Sequence, residues 1–200
     1  MPSDAPTPLV LAFDTSGPYC AAALIRDGDV IATQVEHLAR GQAERLMSLL
    51  EDVLRDQGLQ WSDLSVLGVG VGPGNFTGIR ISISAARGLG LGLGIPAIGV
   101  SQFDTTQRLS KCARTAVPAP RDQFYFFDAD SGQSPALIPA ETDMTAALST
   151  EYSVEDHIRS IAWIASERAA ADPRVPAPKP LYVKPPDAAP ARDAPPRVLA

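Results

Sequence analysis

Apolar residues recur along the chain with two different periods, and the switches between them mark its elements. Residues 9–13, LVLAF, are an unbroken apolar run that predicts a buried strand, ended by the turn-forming residues Asp14-Thr15-Ser16-Gly17-Pro18. YCAAALI (19–25) and VIATQVE (30–36) predict two further strands joined by Arg26-Asp27-Gly28-Asp29, where Asp-Gly is a strong hairpin signal. From Gln42 to Gln57 the period lengthens: Ala43, Leu46, Met47, Leu50, Val53 and Leu54 recur at helical spacing, and Gly58 supplies a stop. Leu49 lies at the edge of this stripe opposite Met47 and widens it beyond what one sheet face requires. A core helix and a helix shared with a partner both fit such a stripe.

The centre of the pattern is residues 66–94, VLGVGVGPGNFTGIRISISAARGLGLGLG. The apolar run Val66 to Val71 predicts a strand, the Gly-Pro-Gly segment a tight loop, and the residues from Thr77 a helix. Gly72 and Gly74 permit backbone conformations or close approaches that a Cβ would forbid, Pro73 stiffens the turn, and Thr77 is the expected N-cap. Free N–H groups at such a helix start suit an anion, but no Gly-Lys-Ser/Thr follows, so this is no Walker A loop, and the dinucleotide fingerprint is absent too. The helix, about residues 77–93, is apolar or small nearly all round, with Ile79, Ile81, Ile83, Ala85, Ala86, Leu89, Leu91 and Leu93. Gly88, Gly90, Gly92 and Gly94 each weaken it by about 1 kcal/mol relative to alanine, so close packing is expected to compensate. The alternative is an end near Gly88 and a loop into IPAIGV (95–100), another short strand.

Ser101 is expected to cap a helix reaching about Arg114, with Asp104 completing a capping box and Arg108, Lys111 and Arg114 forming a solvated basic face. Beyond Ala113, VPAPRDQ reads as a proline-marked boundary, FYFFDADSGQSPALI as a hairpin around Asp130-Ser131-Gly132, and residues 154–171 as a helix carrying Ile158, Ile161, Ala162, Ile164 and Ala165. His157, beside Glu155 and Asp156, reads as a surface residue. The Pro- and Ala-rich end lacks a core of its own, although Leu181, Tyr182 and Val183 could dock as an extended segment.

Composition narrows the function classes. Forty-five per cent hydrophobic and 20% charged residues in a chain of 200 are ordinary for a globular protein. A formal charge of −6 argues against a broad nucleic-acid-gripping surface. The two cysteines, Cys20 and Cys112, have no metal-like spacing to His37 or His157 and read as free thiols. The start MPSDAPTP lacks the basic and apolar parts of a signal peptide, and the most apolar region is broken by Arg80, Arg87 and glycines, so a cytoplasmic, non-membrane protein is expected. Asp14, Thr15 and Ser16 at a strand end either face a phosphate or form a local Asx/Ser turn.

Taken together, LAFDTS (11–16), ARGQAERLMSLL (39–50), GVGPGNFTGIRISISAARGLGLGLGIPAIGVS (70–101) and PLYVKPPDAAP (180–190) resemble the TsaB family of bacterial tRNA threonylcarbamoyladenosine synthesis. The resemblance covers the chain to about residue 105 and is patchy afterwards. It implies an α/β fold of the actin/Hsp70-like (ASKHA, ribonuclease H-like) type, with a complete N-terminal lobe over residues 1–106 and a shortened C-terminal lobe and tail over 107–200. It further implies a subunit without transfer activity, which dimerises with the catalytic subunit TsaD, is joined by the ATPase TsaE, meets tRNA only through the complex, and tends to self-associate through the same helical surface. On this chain that surface is expected at Leu46, Met47, Leu49, Leu50, Val53, Ile79, Ile83, Ala86 and Arg87. Changing Leu49 to Glu is then expected to weaken association and spare the fold.

The superfamily's phosphate-facing turn matches Asp14, Thr15 and Ser16, beside Gly72 and Gly74, but no cofactor of its own is expected beyond ATP or ADP held weakly or in the complex. TsaD carries two metal-binding histidines in an H-x-x-x-H arrangement; laid along GVSQFDTTQ they fall on Gln102 and Thr106, neither of which offers an imidazole, and no metal site is expected. The chain departs from TsaB-like sequences at Gln42, where His is frequent, at Asn75, where Ser is frequent, and at Pro118-Ala119, where Asp-Ala is frequent; Pro118 also removes a backbone donor. A free-standing nucleotide-binding enzyme, kinase-like or metallopeptidase-like, is the competing class.

Overall fold

The computed structural model describes residues 8–142, 144–172 and 174–183. The polar start, residues 1–7, and the Pro- and Ala-rich stretch from 184, including the later part of the 180–190 motif, lie outside them. The first three strands, β1 (Leu9–Asp14), β2 (Tyr19–Arg26) and β3 (Asp29–His37), form an antiparallel meander. Asp27 and Gly28, at φ 54° and 85°, make the two-residue turn that pairs Arg26 with Asp29. Two crossovers follow, each carrying a helix: α1 (Gln42–Asp56) leads to β4 (Val66–Gly70), and α2 (Phe76–Leu93) leads to β5 (Ala97–Val100). Both strands run parallel to β1, giving one sheet in the order β3-β2-β1-β4-β5.

Strand alternation sends the buried side chains to two different cores. Leu9, Leu11, Phe13, Leu67 and Val69 meet α1 and α2 through Leu46, Leu49, Leu50, Val53, Leu54, Ile79, Ile83 and Ala86. Val10, Ala12, Val66, Ile98 and Val100 face the other way, onto the last helix, α4 (Val154–Ala171), which contributes Ile158, Ile161, Ala162, Ile164 and Ala165. Each large aliphatic group so buried contributes about 1.5–3 kcal/mol. The boundary expected after residue 106 therefore does not divide the packing, because a helix of the second half supplies one whole face of the first sheet.

Between the two halves lie α3 (Gln102–Ser110) and a four-stranded sheet in the order β8-β7-β6-β9, built from β6 (Arg114–Ala119), β7 (Gln123–Asp128), β8 (Ala136–Pro139) and β9 (Ala147–Leu148). Ser101 and Asp104 form the expected capping box, but α3 ends four residues early, with Lys111 left-handed at φ 60° as its C-cap. Arg114 accordingly opens β6, and the basic face expected on α3 is split between two elements. VPAPRDQ is strand and hairpin turn, not a boundary: Arg121 and Asp122, at φ 63° and 51°, reverse the chain between β6 and β7. Pro118 is tolerated there because β9 pairs only with Thr115 and Ala116, leaving the stretch of β6 that contains it unpaired on that side. The hairpin over residues 124–138 forms as β7 and β8. No helix among the described residues is long and apolar enough to cross a membrane.

Candidate functional site

The ends of β1 and β4 meet at the loop the sequence singles out, and the contact is made through backbone. Asn75 N–H donates to the Ser16 carbonyl (2.7 Å), and Thr15 Oγ1 donates to the Gly78 carbonyl (2.7 Å). A Cβ at Gly74 would stand 2.7 Å from the Ser16 oxygen, and one at Gly78 would run into the Thr15 oxygen. Gly72 takes φ 93° before a cis bond to Pro73, and its carbonyl accepts from Gln102 N–H at 2.8 Å. Asn75, not Thr77, is the N-cap: its side chain accepts from Gly78 N–H at 2.9 Å, and α2 starts one residue before Thr77.

The five candidate phosphate-facing residues, Asp14, Thr15, Ser16, Gly72 and Gly74, are thus brought to one place, where Asp14 and Ser16 bond each other, Thr15 bonds the Gly78 carbonyl and Gly72 bonds Gln102. Asp14 Oδ1 accepts from Ser16 N–H (3.0 Å), and Oδ2 accepts from Ser16 Oγ (2.8 Å) and Tyr19 OH (2.9 Å). Burial, and then the Asp14 carboxylate, push the Tyr19 phenol well above its ordinary range, so it remains a donor. This is an Asx-type turn with every carboxylate oxygen engaged. Beside it opens a cleft of about 490 Å³ between the two sheets, walled by Ser16, Gln42, Asn75 and Thr77 on one side and by Pro118, Pro120 and Tyr125 on the other. None of the described residues that line it is charged.

The helical surface differs from the one expected. Leu46, Leu49, Leu50, Val53, Ile79, Ile83 and Ala86 are buried in the chain's own core, with Leu49 completely inaccessible. Of the nine expected partner-binding residues only Met47 and Arg87 are exposed. The wide stripe on α1 arises because that helix lies on the sheet with α2 beside it, so two sides of it are internal. What α2 presents outward is a different set: Arg80, Ser84, Arg87, Gly88, Leu91 and Gly92, with Leu91 88% exposed.

The four glycines at positions 88, 90, 92 and 94, at the end of α2 and its cap, divide into two pairs. Gly90 is tightly packed, since a Cβ there would lie 3.1 Å from the Ile95 carbonyl oxygen, and Gly94 is the left-handed C-cap at φ 68°. Gly88 and Gly92 have nothing among the described residues within 4 Å of where a Cβ would be. The helix nevertheless runs unbroken through Gly88, Gly90 and Gly92 to Leu93, and Gly94 caps it.

Sequence reasoning missed two further features. Phe76 stacks on Tyr182 at 5.2 Å, with the Arg80 guanidinium 3.8 Å above the Phe76 ring and its Nε donating to Tyr182 OH at 2.9 Å. Leu181 N–H donates to the Val71 carbonyl, which docks this extended segment beside the loop as its apolar residues allow. The other is His157, which is buried, not at the surface: its ring lies 2.7 Å from Thr105 Oγ1 and 2.9 Å from the Ser149 carbonyl oxygen. A lone histidine on a mostly polar helical turn carries no sequence signal of burial. Gln102 and Thr106, at the start of α3, present an amide and a buried hydroxyl; Thr106 Oγ1 donates back to the Gln102 carbonyl at 2.7 Å.

The sheet order, the helices on both its faces and the smaller second sheet define an α/β protein of the actin-like ASKHA type. The same fold is found in YeaZ from Pseudomonas aeruginosa, at 24% identity over 82% of this chain and 94% of that one, with a TM-score of 0.66. A protein described as uncharacterized, with similarity to the peptidase YEAZ from Pseudomonas aeruginosa, matches at 24% identity over 88% of this chain and 100% of its own, with a TM-score of 0.69. Comparison with curated proteins gives no match. The model of the TsaD family, tRNA N6-adenosine threonylcarbamoyltransferase, matches residues 29–130, just over half of the chain, and the chain belongs to that family. Family and fold agree with the resemblance drawn from the sequence.

Proposed function

We propose that the chain is the TsaB-type subunit of this family: a non-catalytic scaffold that dimerises with a TsaD-like catalytic subunit and supports transfer of a threonylcarbamoyl group to the tRNA adenosine next to the anticodon. The observation that carries this reading is the open face of α2. Gly88 and Gly92 each cost the helix about 1 kcal/mol against alanine, and nothing among the described residues packs there in return, while Leu91 beside them is 88% exposed. A helix laid against that seam by a partner supplies the missing contacts. The partner surface so proposed comprises Ser84, Arg87, Gly88, Leu91 and Gly92 with Met47 of α1, in place of the buried leucines and isoleucines. Gln102 and Thr106 support a non-catalytic role, since amide and hydroxyl replace the imidazoles that the resemblance assigns to TsaD.

In this reading a TsaE-like ATPase and tRNA join through the complex, ATP or ADP is held weakly or only in the assembly, and the protein works in the cytoplasm. A second copy of the chain competes for the same seam. Mixing the chain with its cognate TsaD-like protein and running size-exclusion chromatography is expected to give a heterodimer at micromolar concentrations, lost on Leu91→Glu; absence of any complex sinks the proposal. The uncharged cleft of about 490 Å³ beside the Asp14 turn favours one second reading, a free-standing nucleotide-binding enzyme. Calorimetry with ATP and magnesium separates the two, because tight binding by the isolated chain supports the enzyme.

A further inference from the structure

His157 lies on the first turns of α4, 9% exposed. The Ser149 carbonyl, 2.9 Å from Nε2, can only accept, so Nε2 carries the ring proton and donates it. Nδ1 is then a lone pair, and Thr105 Oγ1, 2.7 Å away, donates to it. One neutral ring thus ties α4 to α3 and to the 3₁₀ turn Ser149–Glu151 that leads out of the second sheet. The Tyr152 ring meets it edge-on at 6.3 Å. The remaining side faces a cavity of about 10 Å³, enough for at most one water, shared with Asp14, Tyr19, Gln102 and Ile161.

A second proton would turn Nδ1 into a donor, reverse the Thr105 hydroxyl toward the Gln102 carbonyl 3.0 Å away, and place a full charge in this enclosure. The titratable groups around the ring are Asp14 from β1, Tyr19 from β2, Tyr152 from the turn before α4 and Asp156 from α4 itself. Neither carboxylate is free to serve it: Asp14 is bonded to Ser16 and Tyr19, and Asp156 caps α4 through Ser153. α3 meets the ring with the Thr105 hydroxyl, and its Asp104 is committed to Ser101 and Arg168. Burial outweighs the Ser149 carbonyl and the two carboxylates and holds the imidazole below its ordinary value.

We propose that His157 is a proton-operated latch: neutral, it fastens α3 and α4 to the second sheet, and protonated, it releases that sheet against the first. The consequence reaches the cleft, because α3 and the turn at Ser149 both pack on β6, whose far end supplies Pro118 and Ala119 to the cleft wall. Because the folded chain binds this proton less readily than the unfolded chain, the contribution of the latch is complete above about pH 6.5 and is lost as pH falls through the lower folded value.

The test uses the full chain and its two histidines, whose ring signals are assigned in NMR spectra with His37→Gln. The His157 ring is expected to titrate below about pH 6.5. Hydrogen exchange, corrected for its intrinsic pH dependence, is expected to accelerate in β6 and Ser149–Glu151 between pH 7.5 and 5.5 while β1 and β4 stay protected. His157→Gln, which keeps a donor for Ser149, should abolish that acceleration. Thr105→Val, which removes one arm of the latch, should reproduce it at pH 7.5. A ring titrating at or above 6.5, acceleration spread evenly over both sheets, or loosening unchanged in His157→Gln overturns the proposal. If the Gln variant does not fold, protection of β6 undiminished in Thr105→Val at pH 7.5 does the same.

Discussion

Gly78 stands where the first turn of α2 crosses the Asp14–Ser16 turn, and the Thr15 carbonyl occupies the place a side chain would need. Neither backbone can retreat, since Thr15 Oγ1 is bonded to the Gly78 carbonyl and Asn75 N–H to the Ser16 carbonyl. Gly78→Ala is therefore expected to destabilise the chain by about 3 kcal/mol, read as a shifted urea midpoint. Gly88→Ala, in open space on the same helix, is expected to stabilise it by about 1 kcal/mol. The leucines divide in the same way. Leu49→Glu puts a carboxylate into a fully buried site and should cost more than about 4 kcal/mol, seen as loss of the cooperative thermal transition. Leu91→Glu should change monomer stability by less than about 0.5 kcal/mol and act only on association. The sequence pattern could rank both leucines as apolar helical positions. It could not say which of them the chain covers itself, because that depends on α1 lying on the sheet with α2 beside it.

Where an element's boundary is set by local chemistry, the sequence revealed it; where a distant partner decides, it did not. The Asp-Gly hairpin, the Ser101–Asp104 capping box and the helical period of α1 are local, and the structure has each of them. The N-cap of α2 moved from Thr77 to Asn75 because the preceding loop is held by Ser16, far away in sequence. The β6–β7 turn passed for a linker because prolines mark both, and only the shortness of β9 makes room for Pro118 inside a sheet. For α2, the unequal packing of its glycines yields an element-level test. Alanine at both Gly88 and Gly92 is expected to raise the melting temperature of the isolated chain and, if a partner helix seats there, to weaken the heterodimer at least tenfold. A gain in stability with unchanged partner affinity would place the interface elsewhere on the molecule.

At the scale of the whole molecule the decisive fact is that the chain returns. Residues 9–100 form five strands and two helices in a continuous run, which makes a self-sufficient first lobe the natural reading of the sequence. Yet α1 and α2 cover only one face of that sheet, and Val10, Ile25, Val66, Ile98 and Val100 on the other are buried with the apolar residues of α4, contributed from beyond residue 150. Arg168 fastens the same helix by donating to the Gly99 carbonyl at 2.7 Å and to Asp104 at 2.6 Å, and Trp163 Nε1 donates to the Gly28 carbonyl at 2.7 Å. At about 1.5–3 kcal/mol for each large aliphatic side chain, uncovering that face costs an amount comparable to the typical net stability of a domain. A fragment ending at residue 112 is therefore expected to lack a cooperative melting transition and to bind the dye ANS, although it holds the whole first sheet with α1, α2 and α3. A peptide spanning residues 150–172, added in trans, should restore helical circular dichroism and displace the dye. Cooperative unfolding of the fragment by itself would show that α1 and α2 suffice, and that α4 is a cover and not a part of the first lobe's core.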